Sequence, residues 1–256
     1  MFEWLFPSTC PCSPPAKEWV EYRLAWLCEE FDDHVFNGRP LVLPTKEFFP
    51  HKFRGTTACI RRLLDRVCEF MEVDPSLVDL EIINDQARAP WKVNEAGKYL
   101  PNAAGATYQL IDGRHCIRLD LAETADLVGL VATFSHELAH ARLLGEDRVS
   151  GDEDDHELLT DLTTIVFGFG TFRACSPRAW DTTMSKWPGT VYNQPEYMSQ
   201  PLIGYANAHV AWLRGEERPA WADHFHRNAR PDFNQALRFL RKTQDSAFRP
   251  LKPRRK

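Results

Sequence analysis

Apolar residues recur along this chain with a period near 3.6 in some stretches and near 2 in others, and the change of period separates helices from strands. From Pro15 to Phe31, Trp19, Val20, Trp26 and Leu27 are core candidates of a first helix, with Ser13 placed to cap it. Thr56 to Met71 predicts a second, carrying Ile60, Leu63, Leu64, Val67 and Met71 at helical spacing, and Asp74-Pro75 ends it. Pro40 to Pro50 is a Pro-punctuated connection between the two. Val78 to Ile83 reads as a strand. Ala106 to Ile111 and His115 to Leu119 flank Asp112-Gly113, a strong hairpin signal. The intervening Ala87 to Pro101 reads as a loop in which Trp91 is a packing anchor.

The period then returns to helical. Leu127 to Phe134 is apolar enough for a buried helix, Ala141 to Leu144 continues it and Gly145 can stop it. Gly145 to Asp155 is polar and acidic, with two glycines, as a surface loop would be. His156 to Gly168 is a mostly apolar helix, and Cys175 to Pro195 is irregular. Gln200 to Leu213, with Pro201 near its start and Gly215 after its end, and Asp232 to Gln244 complete the helices. The expected fold is α+β: a small twisted, mostly antiparallel sheet beside a helix pair, with helices before and after. Residues 1–55 would form an N-terminal helix and connection, 56–170 the core and 171–256 a helical subdomain, all in one compact unit.

Composition narrows the classes. With 43% hydrophobic and 26% charged residues, the chain has the balance of a globular protein that buries a full core. A net charge of −5 gives no reason to expect a nucleic-acid partner, and the basic residues 249–256 read as a frayed tail. No stretch is long enough to span a membrane, and the N-terminus lacks the basic and apolar regions of a signal peptide. Seven cysteines, an odd number scattered through predicted helices and strands, point to reduced thiols and a cytoplasmic setting. Cys10-Pro11-Cys12 has no matching Cys pair and reads as a loop with two thiols.

The chemistry concentrates in His136-Glu137-Leu138-Ala139-His140. Histidines at i and i+4 share one helix face, where both imidazoles can hold one metal ion, and Glu137 between them can accept a proton from water beside it. A catalytic zinc usually takes three protein ligands and keeps one open position. The next helix carries two interior acids, Glu157 and Asp161, again at i and i+4. Acids on an otherwise apolar helix are costly unless something positive faces them. Zinc would answer Glu157, and the N–H of a ligating imidazole would answer Asp161. His156, Asp155 and Asp161 are rival ligands. A third histidine shortly after His140, preceded by a glycine, is absent.

With H-E-x-x-H on one helix and Glu157-x-x-x-Asp161 on the next, the chain resembles the gluzincin, thermolysin-like zinc metallopeptidases. The resemblance implies a zincin-like fold and Zn2+ held by His136, His140 and Glu157. It also implies that Asp161 orients a ligating histidine and that Glu137 is the general base. Gluzincins hold the substrate backbone on an edge strand before the motif helix. The small residues Asn102 to Ala106 would let a peptide come close there. They also use a later Tyr or His to steady the oxyanion, for which Tyr197, Tyr205 and His209 are candidates. The expected function is therefore zinc-dependent cleavage of a peptide or protein substrate, with no nucleic-acid or membrane partner. The alternative is a catalytically silent zincin-fold regulatory or interaction module with a structural metal, in which Glu137 would have no task.

Overall fold

The structure, a computed structural model, describes residues 8–32, 36, 38–84, 91–93, 99–101, 105–175, 185–194 and 196–248. Expectations for the first seven residues, for the packing of the Trp91 side chain, for residues 102–104 and for the tail 249–256 lie outside that description.

Helix α1 (Pro14–Phe31) starts on two prolines, whose fixed φ suits a first turn. Ser13 occupies its cap position, but the Ser13 side chain makes no capping bond. Helix α2 (Thr57–Met71) is capped: Cys59 N donates to the Thr56 hydroxyl at 3.3 Å. It buries the apolar stripe that the spacing marks out, Ile60, Leu63, Leu64, Val67, Cys68 and Met71.

Strands β1 (Val78–Ile83), β4 (Ala106–Ile111) and β5 (Arg114–Asp120) form a three-stranded sheet in the order β1-β5-β4. The short strands β2 (Trp91–Val93) and β3 (Tyr99–Pro101) pair separately. Asp112 and Gly113 both adopt positive φ, at 50° and 75°, which gives the β4–β5 hairpin a turn that matches strand twist. β1 pairs with β5 in parallel, Val78 opposite His115. The sheet is thus mixed rather than mostly antiparallel, because the long connection after β1 lets the chain re-enter beside it in the same direction. The hairpin places β4, not β5, at an edge.

Helix α3 (Leu127–Leu143) is anchored by Asp126, whose carboxylate accepts from Val128 N and Gly129 N. It is buried on every side from Leu130 to Ala141, as a helix without a polar face must be. It packs against α2, β4, helix α4 (His156–Thr164) and helix α5 (Gly170–Cys175). The sequence predicts one helix to Gly168. The chain instead leaves α-geometry at Ile165, makes a wide turn through Phe169 and re-enters α5. Gly168 sits at φ 95° with its carbonyl accepting from Val42 N at 2.9 Å, so the 40–42 connection fixes the break. After the short pair β6 (Ser185–Lys186) and β7 (Asn193–Gln194), helices α6 (Gln200–Leu213) and α7 (Arg230–Thr243) pack on one another. Buried side chains from Ala16 to Phe248 join in one hydrophobic core. The seven cysteines are free thiols, and no described helix is long and apolar enough to cross a membrane.

A Cβ at Gly168 would lie 2.4 Å from the Pro40 carbonyl oxygen, in a backbone region that disfavours side chains. Gly168→Ala is expected to destabilise the protein by about 2–3 kcal/mol in urea unfolding, whereas a Gly→Ala change at a compatible backbone position stabilises by about 0.4–1 kcal/mol.

Candidate metal centre

The site is built where α3 and α4 pack. Helical repeat puts His136 and His140 one turn apart, 1% and 7% exposed, with their rings 4.8 Å apart and perpendicular. The loop back to α4 is tied down along its length. Arg148 pairs with Glu30 on α1, Arg23 pairs with Glu153 and Asp155, and Trp19 Nε1 donates to Asp155 at 2.7 Å. These ties set where α4 begins, and hence where its acids fall.

Glu157 Oε2 lies 3.0 Å from His136 Nε2 and 3.6 Å from His140 Nε2. The three candidate ligand atoms lie within 4.8 Å of one another. Zinc bonds of about 2.1 Å at tetrahedral angles separate neighbouring ligand atoms by about 3.4 Å, so the two measured edges bracket the required value. The far nitrogens are also directed. His136 Nδ1 donates to Asp161 Oδ1 at 2.9 Å. His140 Nδ1 lies 3.2 Å from the Thr160 hydroxyl, which gives its own proton to the His156 carbonyl at 2.7 Å and so accepts from His140. With both Nδ1 atoms protonated, both Nε2 lone pairs face the Glu157 carboxylate. Lone pairs aimed at an anion repel, and a cation between them turns that repulsion into coordination. The donor set therefore fits a metal ion.

Burial alone would raise the Glu157 carboxyl, but the facing imidazoles of His136, His140 and His156 outweigh it and hold the pKa well below the ordinary value, so the carboxylate is in the anionic form a metal ligand needs. Asp161 is completely buried, which opposes its charge. Arg173, His136 and the backbone N–H of Met198 more than offset that and keep it anionic. Arg173 Nη2 and Met198 N each donate to Asp161 Oδ2 at 2.9 Å. With both oxygens engaged, Asp161 orients a histidine rather than ligating. The other rivals are also placed: Asp155 is held by Arg23 and Trp19, and His156 Nδ1 donates to the Glu153 carbonyl at 2.9 Å.

Tyr205 and His209 are not brought to this cluster, a correction to the expectation that either meets a substrate. Both are 0% exposed. The Tyr205 hydroxyl donates to Glu21 at 2.6 Å, and His209 spends its nitrogens on the Tyr205 carbonyl and Ser246. Their i, i+4 spacing serves to pin α6 to α1 and to the C-terminal segment. Tyr197 does reach the cluster, its ring 5.9 Å from that of His136.

Four residues here were not singled out by sequence reasoning: Arg173, Thr160, Tyr108 and His115. Arg173 carried a usable signal, a lone cation among Phe169, Phe172 and Ala174 that needs a buried anion to face. Tyr108 and His115 carried none, since only strand pairing brings them beside α3. A cavity of about 410 Å3 between residues 49–53 and α2 includes none of the cluster residues, so donor geometry rather than cavity size locates the chemistry. Comparison with protein families, curated proteins and solved structures finds no match, and the functional reading rests on these residues.

Arg173→Met should cost about 3–5 kcal/mol in urea unfolding, because it leaves the buried Asp161 charge short of its main partner. Tyr205→Phe should cost only about 1–2 kcal/mol, the loss of its hydrogen bond to Glu21, and leave metal uptake unchanged.

Proposed function

We propose that the protein is a zinc-dependent peptidase of gluzincin type, with a zincin-like core formed by α3, α4 and the small sheet. The observation that carries this reading is the convergence of His136 Nε2 and His140 Nε2 on Glu157, with Glu137 on the same buried helix. His136, His140 and Glu157 would hold the ion. Bound zinc supplies a Lewis acid that polarises a carbonyl and makes water acidic enough to attack near neutral pH.

The chain's own groups do the rest. Glu137 is 2% exposed and stands between His136 and His140 on the same helix. A carboxylate in that position suits a proton acceptor for water at the metal, and it would pass the proton to the leaving amine. Asp161 and Thr160 hold the two imidazoles in the tautomer that presents Nε2. Tyr197, beside His136 and next to the residue whose backbone is bonded to Asp161, is the best placed of the three oxyanion candidates. The outer side of β4 has no partner strand among the described residues, and it would accept an extended peptide or protein substrate.

Purified protein should carry about one zinc per chain, and His136→Ala or His140→Ala should abolish it. Glu137→Gln should keep the zinc and the fold while peptide-library hydrolysis falls by about 10²–10⁴-fold. Native protein that takes no zinc overturns the metal reading. Zinc-loaded native protein that hydrolyses no peptide makes the chain a binding module rather than a peptidase, and undiminished hydrolysis by zinc-loaded Glu137→Gln removes Glu137 as the general base. Tyr197→Phe should lower kcat with KM little changed, the mark of a group that acts on the transition state.

A further inference from the structure

The two ligating histidines are held very differently. His136 donates to a completely buried carboxylate that is itself fixed by Arg173 and the Met198 backbone. His140 donates only to a neutral hydroxyl, Thr160, over a longer 3.2 Å. One neutral hydrogen bond leaves an imidazole more freedom to swing about its side-chain torsions than a charge-assisted one. Something else must fix the plane of His140.

The candidate is Tyr108 on β4. Its ring lies nearly parallel to that of His140, at 20° with centroids 6.0 Å apart, an offset stack. The Tyr108 ring is in turn pinned. Its hydroxyl lies 2.9 Å from His115 Nδ1 on the paired strand β5. A phenol O–H is the donor to a neutral imidazole nitrogen, so the phenol donates and His115 accepts. The main chain makes room for this arrangement. A Cβ on Gly145 would lie 2.5 Å from the Tyr108 hydroxyl oxygen and 2.8 Å from His115 Cε1. The sequence marks Gly145 as a helix stop, yet it is not among the positive-φ glycines; close approach to the Ala141 carbonyl oxygen, 2.5 Å from such a Cβ, together with these two side chains is what requires it.

We propose that Tyr108 is a positioning residue for His140: its ring holds the imidazole in the plane that keeps Nε2 aimed at Glu157, and His115 and Gly145 fix that ring. The proposal rests on the metal reading above. It makes the sheet edge part of the ligand scaffold, so that a peptide seated on β4 would press on the strand that steadies one ligand.

The experiment compares zinc affinity and the visible absorption of the cobalt(II)-substituted protein in wild type, Tyr108→Leu, Tyr108→Phe and His115→Ala. Thermal unfolding of each metal-free protein shows which variants fold. Tyr108→Leu should weaken zinc by about 10–100-fold and shift or broaden the cobalt bands. Tyr108→Phe, which keeps the ring, should restore affinity to within a few-fold and recover the bands. His115→Ala should fall between them. A simple space-filling role would lower stability yet leave the cobalt spectrum alone. Wild-type affinity and bands in folded Tyr108→Leu overturn the proposal, as does an equal loss in Tyr108→Leu and Tyr108→Phe. If Tyr108→Leu does not fold, His115→Ala decides in the same way, unchanged affinity and bands being the overturning result. A wild-type protein that binds neither zinc nor cobalt would instead overturn the metal reading itself.

Discussion

The buried charge of Asp161 constrains the rest of this structure. A carboxylate removed completely from water is tolerated only where hydrogen bonds and an opposite charge surround it. Here those partners come from separate parts of the chain: His136 on α3, Arg173 on α5 and the backbone N–H of Met198 before α6. Meeting all three at once fixes how these elements sit around α4. The same contacts that make burial of Asp161 tolerable also hold His136 in one tautomer, so core packing and ligand alignment are one constraint.

That coupling explains the interrupted helix. Asp161 and Arg173 lie 12 residues apart on the segment from α4 to α5. The wide turn at Ile165–Phe169, opened at Gly168 and locked by the Val42 N–H, re-aims the chain between them. Wide turns of this kind occur often at functional sites. In this chain the turn stands directly behind the residue that orients a candidate metal ligand.

Support around the cluster is graded. His136 has a deep, charged anchor, whereas His140 and Glu157 lie toward the accessible side, among Thr160, Tyr108 and His156. A rigid inner histidine and a more open outer pair of side chains are what a site able to hold an ion requires. Tyr205 and His209 belong to a second buried polar network with Glu21 and Ser246 that joins α6 to both ends of the chain.

By itself the sequence determined the local features. Periodicity located α2 and α3, Asp112-Gly113 located the hairpin, and the spacing of His136, Glu137 and His140 placed a candidate ligand pair and an acid on one helix. Such features depend on neighbours within a turn or two, and their signals lie close together in the chain. Glu157 and Asp161 were legible too, because two acids in an apolar helix demand partners. Tertiary structure alone decided which partners those were. It chose a parallel β1–β5 pair, broke the helix at Gly168, put Arg173 opposite Asp161 and set Tyr108 against His140. It also took Tyr205 and His209 away from the cluster although they have the same spacing as His136 and His140. An i, i+4 pattern states that two side chains share a face. Which way that face points is settled only when the other elements compete to cover it.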